Sequence, residues 1–316
     1  MEASTFLKHP APVFGDRSTG TVFDAFVRKQ PDGRLRMDVS WRPRESCAVT
    51  FSEDGLHWTD PVITLYPDKA SGWEQIVNRC CVLPDPAGKG WLMWYTGQVW
   101  DGGHGVSKIG IARSADGVRF ERFREDPVLV PEAEFEKESV MNPFVMFDGG
   151  RFRMWYAAGE TYEPNVICCA ESEDGVNWTK YAGNPVFAAN PEKEYEQARI
   201  GAVDLVKEEN GYLMFYIGYR DIHTACICAA RSKDGITGWE RVPENPLVMP
   251  TPDAWDADSC YKPTVVKDLD GKYRLWYNGR RGSDEFIGYA EGRIRPQISK
   301  DSGSREQIPV AGCGYS

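Results

Sequence analysis

Short runs of alternating apolar and polar residues, rich in aromatics and broken by glycine, proline or aspartate, fill the chain from about residue 5 to residue 292. Such alternation predicts half-buried strands joined by tight turns. The pattern also repeats. Ser52-Glu-Asp-Gly-Leu-His-Trp58 returns as Ser114-Ala-Asp-Gly-Val-Arg-Phe120, Ser172-Glu-Asp-Gly-Val-Asn-Trp178 and Ser232-Lys-Asp-Gly-Ile-Thr-Gly-Trp239. The aspartates at 54, 116, 174 and 234 are 62, 58 and 60 residues apart. In the same phase run Trp91-Leu-Met-Trp-Tyr95, Phe152-Arg-Met-Trp-Tyr156, Tyr212-Leu-Met-Phe-Tyr216 and Tyr273-Arg-Leu-Trp-Tyr277, with Leu35-Arg-Met-Asp-Val39 as a degenerate first copy. A third motif follows the same period: Asp60-Pro-Val-Ile, Asp126-Pro-Val-Leu, Asn184-Pro-Val-Phe and Asn245-Pro-Leu-Val.

Self-similarity at a fixed period marks a repeat architecture. In the third unit the expected strands are 143–147, 152–157, 166–171 and a fourth from 178 towards 187, with Asp-Gly signalling the hairpin turns. Five units of four antiparallel strands predict an all-β protein, a five-bladed β-propeller. The fifth unit lacks a fourth strand after Ala290, but His9-Pro-Ala-Pro-Val-Phe14 resembles Asn184-Pro-Val-Phe187. Residues 5–14 are therefore expected to complete the last blade and close the ring, leaving no open sheet edge. Residues 1–295 read as one domain and 296–316 as a C-terminal tail.

Composition adjusts this picture at three points. A length of 316 residues would average two domains, but the repeat replaces two with one. The 47 acidic residues outnumber 37 basic ones, and a net charge of −10 argues against nucleic acid as a partner. No signal-like start and no run near 20 apolar residues occur, so a cytoplasmic protein without a membrane partner is expected. The nine cysteines, partly adjacent as Cys80-Cys81 and Cys168-Cys169, read as small core residues. No metal site and no cofactor are expected, and the oligomeric state stays open.

The loops between second and third strands are long and polar, and share one face with the connections between units. The Asp-Gly turns lie on the other face, so their repetition reads as structural. Residues present in every unit read as scaffold; those that break the pattern are site candidates. Glu74, Glu136, Glu196 and Asp256 recur at equivalent places and belong to the first group. Aligned on the second strands, Asp24, Arg79, Asn142, Gly201 and Lys262 begin the five inner strands and should rim a central cavity.

Asp24, Glu138 and Asp258 break the repeat and are the candidate catalytic carboxylates. A pair of carboxyl groups is what glycosidic cleavage requires, one protonating the leaving oxygen and one activating water or attacking carbon. The candidate substrate-binding residues are Arg42, Arg79, Asn142, Glu160, Arg199, Tyr219, Arg220, His223, Tyr261, Lys262 and Arg280. So many cations suggest an anionic group on the substrate, such as phosphate or a uronate. Trp41, Trp100, Tyr162, Tyr219 and Tyr261 are candidates for stacking on sugar faces, whereas Trp94, Trp155 and Trp276 read as core between units.

The Met-Trp-Tyr strand, the Asp-Gly-x-x-Trp turns and the five units together resemble the five-bladed glycosidases of families 43 and 32. They are equally similar to the family 130 mannoside phosphorylases. The resemblance covers roughly residues 5–292 and implies a carbohydrate-active enzyme working in the central cavity on an oligosaccharide or glycoside. Asp24 matches the family 43 base by position. Blade three has Asn142-Pro143 where Asp-Pro is expected, and blade four has Arg199-Ile-Gly-Ala202 with no Glu-Gly-Pro. The Asn-Asp-Pro, Arg-Asp-Pro and Glu-Cys signatures of family 32 are missing too. Three functions stay open: a glycoside hydrolase, an inverting phosphorylase using inorganic phosphate, and a propeller that binds carbohydrate without cutting it.

Overall fold

The computed structural model describes residues 6–295, so the tail expected from 296 lies outside the described residues. The chain is all-β. Strand β1 (Phe6–Lys8) precedes five antiparallel units in chain order. Unit one is β2 (Val22–Lys29), β3 (Leu35–Trp41), β4 (Ser46–Ser52) and β5 (Val62–Leu65). Unit two is β6 (Ile76–Pro84), β7 (Trp91–Asp101), β8 (His104–Ser114) and β9 (Glu121–Arg122). Unit three is β10 (Ser139–Asp148), β11 (Arg151–Gly159) and β12 (Pro164–Ser172), with β13 (Thr179–Lys180) and β14 (Phe187–Ala188) both pairing with β12. Unit four is β15 (Arg199–Glu208), β16 (Gly211–Tyr219), β17 (Ala225–Ser232) and β18 (Glu240–Arg241). Unit five is β19 (Ser259–Lys267), β20 (Tyr273–Arg281) and β21 (Asp284–Gly292), and β1 pairs antiparallel with β21 through Phe6↔Gly292 and Lys8↔Ala290. No helix among the described residues is long and apolar enough to cross a membrane.

The repeated residues lock each unit to the next. Trp94 and Trp155 donate their indole N–H to Gly175 O and Gly235 O of the following unit at 2.8 and 2.7 Å. Trp276 of unit five donates in the same way to Gly55 O of unit one at 2.8 Å. Unit one carries Asp38 at the tryptophan position, and there the neighbouring Arg36 donates to Gly117 O of unit two at 2.5 Å. Unit four has Phe215, which has no N–H to give; it packs edge-on against Tyr273 and Phe6 instead. The Asp-Gly turns that receive these bonds are built alike. In the first, Gly55 N donates to Ser52 Oγ while Leu56 N and His57 N donate to Asp54 Oδ1. The first strands touch in sequence, β2 with β6, β6 with β10, β10 with β15, β15 with β19, and β19 with β2.

The recurring acids are scaffold. Glu74, Glu136, Glu196 and Asp256 are fully buried, and each accepts a hydrogen bond from the tyrosine that ends its repeat motif: Tyr95, Tyr156, Tyr216 and Tyr277. A buried carboxylate needs a cation. The outermost strand supplies one in each case: Arg122 of β9, Lys180 of β13, Arg241 of β18 and, for Asp256, Lys8 of β1 at 2.5 Å. Lys8 thus occupies in unit five the place that fourth-strand cations hold in units two to four. The eight cysteines among the described residues are all free and buried, packed as small apolar groups.

Candidate active site

Each first strand carries a bulge near its beginning, where one residue adopts a left-handed backbone. These are Asp24 (φ 55°), Arg79 (φ 53°), Asn142 (φ 54°), Ala202 (φ 28°) and Lys262 (φ 49°). A non-glycine residue held there costs on the order of 1–3 kcal/mol and persists only when its surroundings over-determine it. Three of the five bulge amides are held by a side chain from the second strand of the preceding unit. Asp24 N donates to Asn278 Oδ1 (3.0 Å), Arg79 N to Ser40 Oγ (2.8 Å) and Asn142 N to Thr96 Oγ1 (3.1 Å). The fourth position is Ala202 and not the expected Gly201. Counted back from the partner of Phe215 in the ladder, Asp204, it stands two residues earlier, as the other four bulges do from theirs, and Gly201 still pairs with Ile217.

Above this ring lies a cavity of about 410 Å³. Its walls come from the bulges, the ends of the second strands and the loops that follow them, all at one end of the units. Seven expected site residues line it: Asp24, Arg42, Arg79, Asn142, Tyr219, Tyr261 and Arg280. The aromatic candidates Trp41, Trp100 and Tyr162 line it as well.

The other expected site residues do not line the cavity, and their contacts explain why. Glu138 accepts from Thr161 N at 3.3 Å, and Asp258 is exposed and holds the Gly282 amide at 2.7 Å, so both secure loops. Glu160 is paired with Lys137 (2.7 Å) and Arg199 (2.9 Å). Arg199 also donates to Glu163 O at 2.8 Å, so its guanidinium pins the loop that begins at Glu160. Arg220 points to solvent beside Asp221, and exposed His223 offers its carbonyl to Arg280 and Ser259 and its N–H to Asp221. Lys262 is buried beneath the cavity; burial pushes its pKa down, against the pull of Asp24 and Asp204.

Three carboxyl groups that sequence reasoning passed over line the cavity, Glu45, Glu163 and Glu285. Glu45 and Glu163 come from connections between second and third strands that had been recognised as site-bearing, whereas Glu285, expected in such a loop, is the second residue of β21. Their particular residues carried no distinguishing signal beyond breaking the repeat. Glu285 is buried and paired with Arg42 Nη2 at 3.0 Å. Asp24 accepts from Ser40 Oγ at 3.3 Å and lies 3.4 Å from Arg79 Nε. Glu45 is paired with Lys69 at 2.6 Å. Glu163 differs: its carboxylate accepts the Tyr219 hydroxyl, and burial pushes its pKa up to about 7, with the charge of Asp24 adding to the rise. Tyr219, Arg79 and Arg280 act in the opposite direction. A carboxyl group tuned this way is half protonated near neutrality and can serve as an acid.

Arg79 Nε and Nη1 are buried and lack hydrogen-bond acceptors among the described residues. Arg280 donates to His223 O at 2.8 Å and lies over the Tyr261 ring. Among the described residues no group of three or more His, Cys, Asp or Glu is placed to hold a metal ion.

The fold is like that of glycoside hydrolases and phosphorylases. The pattern of the glycosyl hydrolases family 32 N-terminal domain matches residues 22–184, about half of the chain, and the protein belongs to that family. Among solved structures it resembles a thermostable family-43 glycoside hydrolase (TM-score 0.66, 18% identity, 92% of this chain and 95% of that one). It also resembles a family 130 protein described with mannoside phosphorylases and hydrolases of beta-1,2 mannosidic linkages (TM-score 0.64, 17% identity, 88% and 87%). By sequence it is similar to the beta-1,2-mannobiose phosphorylase of Thermoanaerobacter sp. strain X514, 30% identical over 188 residues, 54% of this chain and 57% of that protein. An uncharacterized protein of Mycobacterium tuberculosis is 32% identical over 202 residues, 61% of this chain and 64% of that one. The matched region spans less than two thirds of either relative's length.

Proposed function

We propose that the five units are the blades of a closed five-bladed propeller within residues 1–295, and that its cavity cleaves a glycosidic bond of an oligosaccharide by phosphorolysis. The carrying observation is the inequality of the carboxyl groups. Asp24, Glu285 and Glu45 are each engaged by a cation, whereas Glu163 is hydrogen-bonded by a tyrosine and holds its proton to about pH 7. Hydrolysis with inversion needs a second carboxylate free to take a proton from water. Phosphorolysis needs one acid and a place for an anion, and Arg42, Arg79 and Arg280 supply the positive charge.

In this reading the Glu163 carboxyl passes its proton to the glycosidic oxygen as the C1–O bond breaks. A phosphate oxygen attacks C1 from the opposite face. The products are a glycosyl phosphate and a sugar shortened by one unit, whose new hydroxyl carries the proton. The two matched phosphorylases of Thermoanaerobacter, for beta-1,2-mannobiose and 1,2-beta-oligomannan, make β-1,2-linked mannosides the first substrates to test. A phosphorolytic enzyme suits a cytoplasmic setting, where the charged product is retained.

Hydrolysis with Asp24 as base is the second reading, favoured by its position at the unit-one bulge on the cavity floor. The full chain incubated with β-1,2-mannobiose decides between them. The expected result is mannose 1-phosphate formed only when inorganic phosphate is present; release of two free mannoses without phosphate supports hydrolysis instead. Arg79→Ala is expected to raise the KM for phosphate tenfold or more, measured from initial rates at saturating disaccharide.

A further inference from the structure

The repeat is broken most visibly at the mouth of the cavity. The β7–β8 hairpin has arms of 11 residues, against 9 in the corresponding β20–β21 hairpin, and pairs continuously to Asp101↔His104. The extra length carries Trp100 into the cavity wall. Its backbone N–H donates to Gln75 Oε1 at 3.0 Å, and its ring lies over Gly105 beside Thr161. A Cβ at Gly105 would come within 2.9 Å of the indole and 2.6 Å of Thr161 Cγ2, so the indole fits only over a glycine. Thr161 is itself fixed, donating to Gly105 O and hydrogen-bonded with Ser139 Oγ. The next residue, Tyr162, lines the same cavity with 57% of its surface exposed. Glu163 follows directly.

We propose that Trp100 and Tyr162 form a distal sugar subsite, which takes the apolar face of a pyranose one unit or more from the bond that is cleaved. Aromatic rings supply large contact area at small conformational cost, and exposed rings bordering a polar cavity suit the CH-bearing face of a sugar. The occupant follows from continuity: the subsite opens into the cavity that holds Glu163, so what reaches it is the remainder of a chain bound there. Because Tyr162 and Glu163 are consecutive, a sugar on Tyr162 also steadies the loop that aims the carboxyl group. Binding energy from a remote unit is then expressed in the rate of the chemical step and not only in affinity. This subsite rests on the carbohydrate-cleaving reading, and its test is chosen to fail separately.

The test compares β-1,2-mannotriose with β-mannosyl fluoride, which has no further sugar to bind. In Tyr162→Ala, kcat/KM for the trisaccharide is expected to fall ten- to a hundredfold while that for the fluoride stays within about threefold. Tyr162→Phe, which keeps the ring, should restore the trisaccharide. Trp100→Ala should show the same selectivity. Equal losses on both substrates, or no loss on either, overturn the subsite. If the wild-type chain turns over neither substrate, the catalytic reading fails, and the subsite is then judged by binding alone. Mannotriose quenching of tryptophan fluorescence that disappears in Trp100→Ala upholds it, and a response unchanged by that substitution overturns it.

Discussion

Replacing Glu163 by Gln is expected to lower kcat at least a hundredfold and to erase the alkaline limb of the pH profile. The first effect is the ordinary size of a lost general acid. The second follows from the sign of the shift. Burial raises the Glu163 pKa to about 7, so the protonated, active form prevails below that pH and is lost above it. With the wild-type chain, kcat/KM should therefore fall tenfold per pH unit above about 7, and the glutamine variant, which has nothing to lose there, should keep only a flat residue of activity. Tyr219 provides a control with a defined direction. Its hydroxyl donates to the carboxylate and so stabilises the ionised form. Tyr219→Phe should move the limb to higher pH. Phosphate itself titrates near this region, so the informative quantity is the displacement between wild type and variant in identical buffers. A limb that does not move, or a glutamine variant as active as wild type, removes Glu163 from the acid's role.

The second large effect concerns stability. Lys8 Nζ reaches Asp256 at 2.5 Å, Met249 O at 2.7 Å and Thr251 Oγ1 at 2.6 Å, attaching β1 to unit five. Lys8→Met leaves the fully buried Asp256 carboxylate without its cation, which costs about 3 kcal/mol. Thermal unfolding should show a clear drop in Tm. Combining Lys8→Met with Asp256→Asn should recover part of it, because the charge that lacked compensation is then gone. An unchanged Tm in the single variant would mean that β1 contributes nothing to holding the last unit.

How much of this was legible in the chain differs between scaffold and site. The tryptophans at 94, 155 and 276 and the acids at 74, 136, 196 and 256 were readable as scaffold because a contact made in most units leaves its residue in most units. The bulge ring was readable almost to the residue, since the tryptophan position of the second strand indexes the first; only in unit four did the reading fall one residue short, at Gly201 in place of Ala202. Glu138 and Asp258 show where that logic ends. Both break the repeat and stand next to the inner strands, yet one accepts from Thr161 N and the other holds the Gly282 amide. Conversely, Glu163 stands in a loop and Glu285 at the start of β21, where spacing gives no hint of where a side chain points.

By itself the sequence determined the strand order, the period and the set of contacts that recur from unit to unit, because these depend on local alternation and on residues repeated in register. The tertiary structure alone decided which carboxyl group is the acid candidate. That choice depends on burial and on which group lies a few ångströms away: Arg79 beside Asp24, Arg42 beside Glu285, and a tyrosine hydroxyl on Glu163. Charge interactions act through space across residues as far apart in the chain as 42 and 285, and no pattern along the chain records those distances.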